Sequence, residues 1–347
     1  MFSKREVLVG SLKVGGTAPL SVQTMTNSRT EDVKSTIEQI RRATAAGCDL
    51  IRVSCPSPES TVALKEIIKH SNIPIIADIH FNYKRGLEAI DAGAQCIRIN
   101  PGNIPAIGVN EIVRAAKYHG VSVRIGINSG SVEKAILAKY SEPSVDAIVE
   151  SALLNCKKLE DLDFFNFKVS VKSSDVRVTV ASYRKLAAKI DYPLHLGITE
   201  AGTLFSGTIK SAIGIGSLLL DGIGDTIRVS LSSDICEEVR VGRQILKSLS
   251  LIGNSINIVS CPTCSRTLVN VIDLSEKLEI YCASVKKHMK ISILGCVVNG
   301  VGEAQHSDIG IYGFRRGIAK IYFKGIEHCE AKAPEVFDVV KTLIDEF

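Results

Sequence analysis

Tryptophan is missing from this 347-residue chain, and Phe and Tyr together make up only 5% of it. A core with so few large rings must be built from Val, Ile, Leu and Ala, the usual filling of α/β proteins whose parallel strands are buried on both faces. No apolar stretch is long enough to span a bilayer, and Met1–Glu6 carries no apolar signal core, so neither a membrane nor an export route is expected. Excess charge is small: the net is +5 and no run of Lys and Arg is dense enough to suggest nucleic acid. An anionic small molecule suits that balance as well. Ten cysteines over this length are too sparse for a disulfide framework. Cys48, Cys96 and Cys156 fall in apolar periodic stretches and read as small core residues. Unpaired thiols point to a reducing, cytoplasmic compartment. There is no Walker loop, no G-x-S-x-G elbow, and only incomplete glycine doublets at 214–216 and 222–224. Electrons, if the chemistry needs them, would come from a partner protein and not from bound NAD.

Eight short apolar runs recur through the first two-thirds of the chain, at 20–25, 50–54, 73–80, 96–100, 121–128, 167–172, 194–199 and 226–231. Amphipathic segments lie between them, among them 33–46, 60–70, 83–92 and 112–119. Eight strands alternating with helices predict a TIM (β/α)8 barrel, although the same spacing suits an open doubly wound sheet. The barrel should end with a helix over 233–248. A small α/β module follows, with short strand-like runs at 291–294, 309–312 and 318–323. Its last helix, over 334–347, carries Val336, Val339, Val340, Leu343 and Ile344 on one face, with Pro334 in the first turn. The expected division is a barrel over 1–250 and a second domain over 251–347.

The ends of the eight runs carry the chemistry. Arg52, His80, Arg98, Arg124, Asn128, Lys172, Glu200 and Arg228 all lie at or just past the C-terminal end of a strand candidate, the rim where barrels place their active sites. Arg52, Arg98 and Arg124 hold the same place in I-R-V-S, I-R-I-N and V-R-I-G. Cations converging on one rim repel each other without a counter-anion, so the implied ligand is strongly anionic, and a diphosphate fits the bidentate habit of guanidinium. Gly102, Gly126 and Gly130 would let backbone N–H groups approach the same anion. Glu200, in G-I-T-E-A-G, is an acid/base or steering carboxylate among these cations. Asp78 and Asp175 read as residues that orient neighbours.

Cys261 and Cys264 form C-P-T-C, and Cys296 opens G-C-V-V-N-G-V-G-E, which ends in Glu303. Three thiolates with one weak, exchangeable oxygen ligand suit an iron–sulfur cubane with a labile iron better than structural zinc. In this reading the glycine-rich N-G-V-G-E curls back to bring Glu303 to the cluster, and Cys282 is an alternative fourth ligand. A zinc knuckle on a barrel that binds an anionic ligand or RNA remains the alternative reading. A pterin-type transferase barrel with a structural metal tail is a third.

V-Q-T-M-T-N, I-R-V-S, I-A-D-I-H-F, I-R-I-N-P-G-N, V-R-I-G-I-N-S-G-S, V-S-V-K-S-S-D, H-L-G-I-T-E-A-G, D-G-I-G-D-T-I-R-V-S-L, C-P-T-C and G-C-V-V-N-G-V-G-E occur in this order. In these motifs the chain resembles the 4-hydroxy-3-methylbut-2-en-1-yl diphosphate synthase family of the methylerythritol phosphate route to isoprenoids. The resemblance implies a TIM barrel that binds 2-C-methyl-D-erythritol 2,4-cyclodiphosphate, lined by Arg52, His80, Arg98, Arg124, Asn128, Lys172, Arg228 and Ser230. It implies Glu200 as the catalytic carboxylate and a [4Fe-4S] cluster on Cys261, Cys264, Cys296 and Glu303. It further implies flavodoxin or ferredoxin as electron donor, and a homodimer in which the cluster domain of one subunit caps the barrel of the other. Val301 departs from the family's N-G-P-G-E, which leaves the segment before Glu303 without proline's rigidity. The barrel runs almost directly into C-P-T-C, as in the two-domain form that lacks an insert.

Overall fold

The computed structural model describes residues 3–253, 255–283 and 285–347. It divides into two compact units, 1–249 and 250–347. The first opens with a hairpin, β1 (Glu6–Val9) and β2 (Leu12–Gly15). The barrel strands follow: β3 (Ser21–Met25), β4 (Leu50–Ser54), β5 (Ile75–Asp78), β6 (Cys96–Ile99), β7 (Ser122–Asn128), β8 (Phe167–Lys172), β9 (His195–Leu196) and β10 (Thr226–Ile227). They pair in parallel in the order β8-β7-β6-β5-β4-β3-β10-β9, and a parallel bridge between Val169 and Leu194 joins the two ends. This is the expected eight-stranded barrel.

The surrounding helices are α1 (Val33–Ala45), α2 (Pro58–Lys69), α3 (Tyr83–Asp91), α4 (Ala106–His119), α5 (Lys134–Tyr140), α6 (Val145–Asp161), α7 (Val176–Ala187), α8 (Leu204–Leu220) and α9 (Ile235–Ser248). Their starts are set by local chemistry. Asp32, Ser57, Asn82, Ser144, Asp175 and Asp234 each accept from an amide of the first helical turn. Ser57 also forms a capping box with Ser60, and Pro58 fills the first helical position, where a missing N–H costs nothing. Asp175 thus orients a helix, as the sequence suggested. Val9 and Val14 of the hairpin pack on Leu50, Ile76 and Cys96 from three barrel strands and close off an apolar layer.

Above that layer the barrel interior turns polar. Gln23 of β3 accepts from Arg124 of β7 across the barrel at 3.0 Å. Lys168 of β8, completely buried, has the Cys96 sulfur of β6 at 3.6 Å. Barrels usually fill this space with branched apolar side chains. A charged interior is a cost to stability that a ligand must offset.

The second unit has a mixed sheet in the order β11 (Ile256–Ser260), β12 (Met289–Leu294), β13 (Ile309–Arg315), β14 (Ile318–Phe323) and β15 (Ile326–Lys332). The first three strands are parallel and the last two pairings antiparallel. Its helices are α10 (Val271–Cys282), α11 (Val297–Gln305) and α12 (Val336–Glu346). Val336, Val340, Leu343 and Ile344 of α12 pack with Ile291, Ile309 and Ile321 in one core, with Val339 at its edge. Pro334 does not enter the first turn as expected. The N-cap is Glu335, and Pro334 lies before it.

Candidate functional site

Eleven residues surround a cavity of ≈ 170 Å³ at the C-terminal end of the barrel strands: Arg52, Asp78, His80, Arg98, Arg124, Asn128, Ser170, Lys172, Thr199, Arg228 and Ser230. The eight residues named above as substrate contacts are all in this set. Their convergence follows from strand parity. In a parallel ladder Arg98 stands opposite Arg124, and Asp78 opposite Arg98, so side chains at equivalent heights enter the same space.

Asp78 is the only carboxylate on the wall. It accepts from Arg98 Nη1 at 3.2 Å, His80 Nε2 lies 3.3 Å from it and 3.0 Å from Arg98 Nη1, and Arg52 Nε stands 3.7 Å away. Burial opposes its ionisation, but Arg52, the His80 hydrogen bond and Arg98 outweigh burial and hold the carboxyl well below the usual range. One anion among four guanidinium groups leaves a large positive excess. Burial, reinforced by Arg98, lowers Arg124 to about 10. Burial, reinforced by Arg124, Arg52, Arg228 and Arg98, drives Lys172 well below its ordinary value. Burial likewise disfavours a charge on His195, and Lys172 and Arg124 add to the effect. Both ring nitrogens of His195 lie buried without a partner among the described residues, as do Arg98 Nε, Arg124 Nε and Gln23 Nε2. Unpaired buried donors on this scale are the mark of a site prepared for an anion.

The cations are held from behind. Arg228 forks onto Glu238 of α9 at 3.2 and 3.3 Å, and Glu238 also accepts from Thr24 Oγ1 and Leu231 N. Met25 Sδ receives Arg52 Nε at 3.0 Å. At the mouth, Ser131 Oγ receives the Asn100 amide and the backbone N–H of Asn128 and donates to the Asn128 carbonyl, tying down the end of β7. Gly126 has a steric role beside the one expected of it. A Cβ there would stand 2.6 Å from Arg98 Nε, so this glycine makes room for a guanidinium.

Glu200 is not in the wall. It is exposed in the turn after β9, one residue beyond the lining residue Thr199, with a left-handed φ of 52°. A non-glycine residue in that region stores roughly 1–3 kcal/mol of strain, which is often kept where a side chain must be aimed.

The sequence reading missed Ser170, Thr199, His195, Gln23, Lys168 and Glu238. Ser170 and Lys168 share strand parity with Lys172, and Thr199 neighbours Glu200, so these three were open to detection, whereas His195 and Gln23 have no such named neighbour. Glu238 carried no signal, since Glu237-Glu238 near a helix start looks like an ordinary solvated face.

In the second unit, Cys261 and Cys296 follow the C-terminal ends of adjacent parallel strands, where Ser260 pairs with Ile293. The Gly295 N–H donates to Cys261 Sγ at 3.1 Å. A Cβ on Gly295 would press on Thr267, and one on Gly313 would meet the Gly295 carbonyl at 2.3 Å, so this corner tolerates only bare backbone. Cys261, Cys264 and Cys296 are at least partly accessible, whereas Cys282 is buried in the core of this unit. Three reachable thiols on one edge, one already receiving an amide hydrogen bond, are suitable donors for an iron–sulfur cluster.

Glu303 departs from expectation. The segment 297–305 is helical instead of curled back, and Glu303 pairs with Lys290 at 3.1 Å near the start of β12. Seven residues of helix place it about 10 Å along the axis from Cys296. Val301, in the middle of that helix, keeps the N–H that proline would remove. Among the described residues, no three His, Cys, Asp or Glu side chains are gathered closely enough to hold a metal ion.

The family model described as the GcpE TIM-barrel domain matches residues 4–243, and that of the GcpE protein C-terminal domain matches 257–346. The chain belongs to the GcpE family. Curated relatives carry the name 4-hydroxy-3-methylbut-2-en-1-yl diphosphate synthase (flavodoxin). That of Zymomonas mobilis is 54% identical over 98% of this chain and 91% of its own length. That of Rhodospirillum rubrum is 55% identical over 99% and 91%. Among solved structures, a Yersinia pestis dihydropteroate synthase in a sulfonamide complex aligns over 72% of this chain and all of its own, at 14% identity and a TM-score of 0.51. The Plasmodium falciparum HPPK-DHPS structure covers 71% of this chain and 51% of its own, at 13% identity and a TM-score of 0.52. At that identity the likeness extends to the barrel fold alone. No helix among the described residues is long and apolar enough to cross a membrane.

Proposed function

We propose that this chain catalyses the reductive ring opening of 2-C-methyl-D-erythritol 2,4-cyclodiphosphate to (E)-4-hydroxy-3-methylbut-2-en-1-yl diphosphate in isoprenoid biosynthesis. The observation that carries this reading is the cavity in which four guanidinium groups and Lys172 face a single carboxylate. Arg52, Arg98, Arg124, Lys172 and Arg228 bind the diphosphate, and His80, Asn128 and Ser230 fix the ring by hydrogen bonds. Fixed guanidinium groups also stabilise negative charge that develops as the C–O bond breaks. Glu200, aimed from the rim by its strained turn, handles the proton needed as oxygen leaves as water.

Cys261, Cys264 and Cys296 hold a [4Fe-4S] cluster in this reading. Glu303 is the fourth, exchangeable ligand once it is released from Lys290 and the 297–303 helix rearranges. When bound, the cluster supplies single electrons and a Lewis-acidic iron. Counted in acid forms, the reaction takes two electrons and two protons per ring opened and releases one water. Flavodoxin, named for the relatives, or ferredoxin is the electron donor. We place the enzyme in the cytoplasm as a homodimer, whose subunits meet through the apolar outer face of α8. Residues 1–250 serve as the substrate barrel and 251–347 as the cluster domain.

Oxygen-free purification followed by iron, acid-labile sulfide and zinc counts tests the reading, together with turnover of the cyclic diphosphate. The expected result is iron and sulfide in about equal amounts, with turnover that requires a low-potential reductant. Serine at positions 261, 264 and 296 should abolish both. Zinc alone, or turnover without reductant, would overturn the proposal.

A further inference from the structure

Three arginines stand on the segments that make the cysteine edge of the second unit, and among the described residues none has an ion pair or hydrogen bond. Because β11, β12 and β13 are parallel, their C-terminal ends share one edge of the sheet. Cys261 follows β11, Cys296 follows β12, and Arg315 ends β13, with Arg316 next in the turn to β14. Arg266 lies in the loop that carries Cys264. Backbone bonds join these pieces: Thr267 N–H to the Cys264 carbonyl at 3.0 Å, Leu268 N–H to Gly295 at 2.8 Å, and Gly317 N–H to Leu268 at 3.0 Å. Arg266, Arg315 and Arg316 are all exposed. Among the described residues they make no ion pair or hydrogen bond, and Arg315 has only the Phe314 ring, with its guanidinium carbon 4.8 Å from the centroid. Two carboxylates of this unit are engaged elsewhere: Asp273 pairs with Lys277 at 2.9 Å, and Glu335 accepts from Lys332 N at 3.4 Å. Val297 and Val298, the two residues after Cys296, are 46% and 65% exposed.

Exposed valines and arginines without ion pairs share this edge of the sheet, a composition that suits a transient protein-docking surface. The barrel cavity shows what a metabolite site looks like in the same chain: buried guanidiniums locked by Asp78, Gln23 and Glu238. At the cysteine edge the guanidiniums are exposed and unlocked, which suits long-range attraction of a charged partner better than capture of a small anion.

We propose that Arg266, Arg315 and Arg316, together with Val297 and Val298, form the docking surface for an acidic electron-carrier protein of the flavodoxin class. The proposal rests on the reaction assigned above, and its test separates the two. The full chain, wild type and Arg315→Glu/Arg316→Glu, is titrated with oxidised flavodoxin by calorimetry at low and high salt. Turnover is then measured with reduced flavodoxin and, separately, with a reduced viologen. The variant should lose flavodoxin affinity by about tenfold or more at low salt and lose most of the salt dependence. Its turnover with viologen and its KM for the cyclic diphosphate should match wild type. Arg266→Glu, on a different loop, should weaken flavodoxin in the same way, so a folding defect in one variant does not decide the matter. Unchanged flavodoxin affinity in both variants overturns the surface. So does a raised KM for the cyclic diphosphate with viologen, which would mean that the arginines serve substrate. Calorimetry reads the surface even in a preparation that does not turn over, so failure of the reaction assignment is seen on its own.

Discussion

Lys172 shows how a single residue registers the charge of the whole cavity. Its ammonium is buried, and among the described residues it makes no hydrogen bond or ion pair. Burial and four neighbouring guanidiniums therefore favour the neutral amine in the ligand-free protein. A bound diphosphate reverses that balance, so binding takes up a proton. The sign follows: at any pH between the lowered ligand-free value and the value in the complex, raising the pH opposes binding, by up to about tenfold per unit for one proton. Titrating inorganic pyrophosphate into wild type and Lys172→Met, in two buffers of different ionisation enthalpy, measures this directly. Wild type should take up about one proton more than the variant, and its affinity should fall more steeply as pH rises. Equal proton counts in the two chains would show that Lys172 stays charged throughout. The sequence placed Lys172 on the rim because it ends an apolar run. Its protonation state was not legible there, since that depends on which charges five other strands bring beside it.

At the scale of elements, two glycines at strand ends separate a binding defect from a folding defect. A Cβ on Gly126 would stand 2.6 Å from Arg98 Nε, the end of a movable side chain. A Cβ on Gly197 would stand 2.6 Å from Lys172 Nζ and equally close to the Arg228 carbonyl, backbone just past β10 that is tied to β9 by the Arg228 N–H bond to the Leu196 carbonyl. Gly126→Ala should therefore push Arg98 off Asp78 and His80, raising KM for the cyclic diphosphate while the melting temperature stays near wild type. Gly197→Ala should cost about 1–3 kcal/mol of stability, the usual penalty of overpacking, and show it in chemical denaturation. The reverse pattern would mean that the strand yields and the guanidinium does not. The strands themselves were legible, because parallel strands buried on both faces read as apolar runs ending in polar residues. The runs at 194–199 and 226–231 extend well past their ladders, which are His195–Leu196 and Thr226–Ile227. Periodicity reports burial and not hydrogen bonding, so it could not show where pairing stops. The helix over 297–305 was hidden for a related reason. Its two glycines suggest a loop, yet Gly300 is demanded by packing, since a Cβ there would meet the Tyr312 side chain at 2.5 Å.

For the whole molecule, the outer face of α8 is the surface that a single chain leaves unexplained. Helices around a barrel normally turn charged side chains to water, but α8 has Lys210 as its only charge in 17 residues. Phe205, Ile213 and Leu220 are 78%, 55% and 75% exposed, with Ile209 between them on the same stripe. Spacings of four, four and seven keep these side chains on one face, and the small, exposed Ala212 beside them allows close approach of another helix. Depletion of charge at the centre of such a patch is characteristic of an interface core. A two-fold axis across the stripe would set α8 against its own copy, an isologous contact that closes at two subunits. Phe205→Lys/Ile213→Lys should therefore convert a dimer to a monomer in analytical ultracentrifugation, with the circular dichroism of the wild type. A dimer unchanged by these two lysines would place the interface elsewhere, and a monomeric wild type would remove it. The functional consequence can be read in the same samples. Inactive Arg124→Ala and Cys261→Ser chains, each intact where the other is broken, should regain activity on mixing only if barrel and cysteine edge from different subunits act on one substrate. The recovered activity should then vanish when both partners also carry the two lysines on α8.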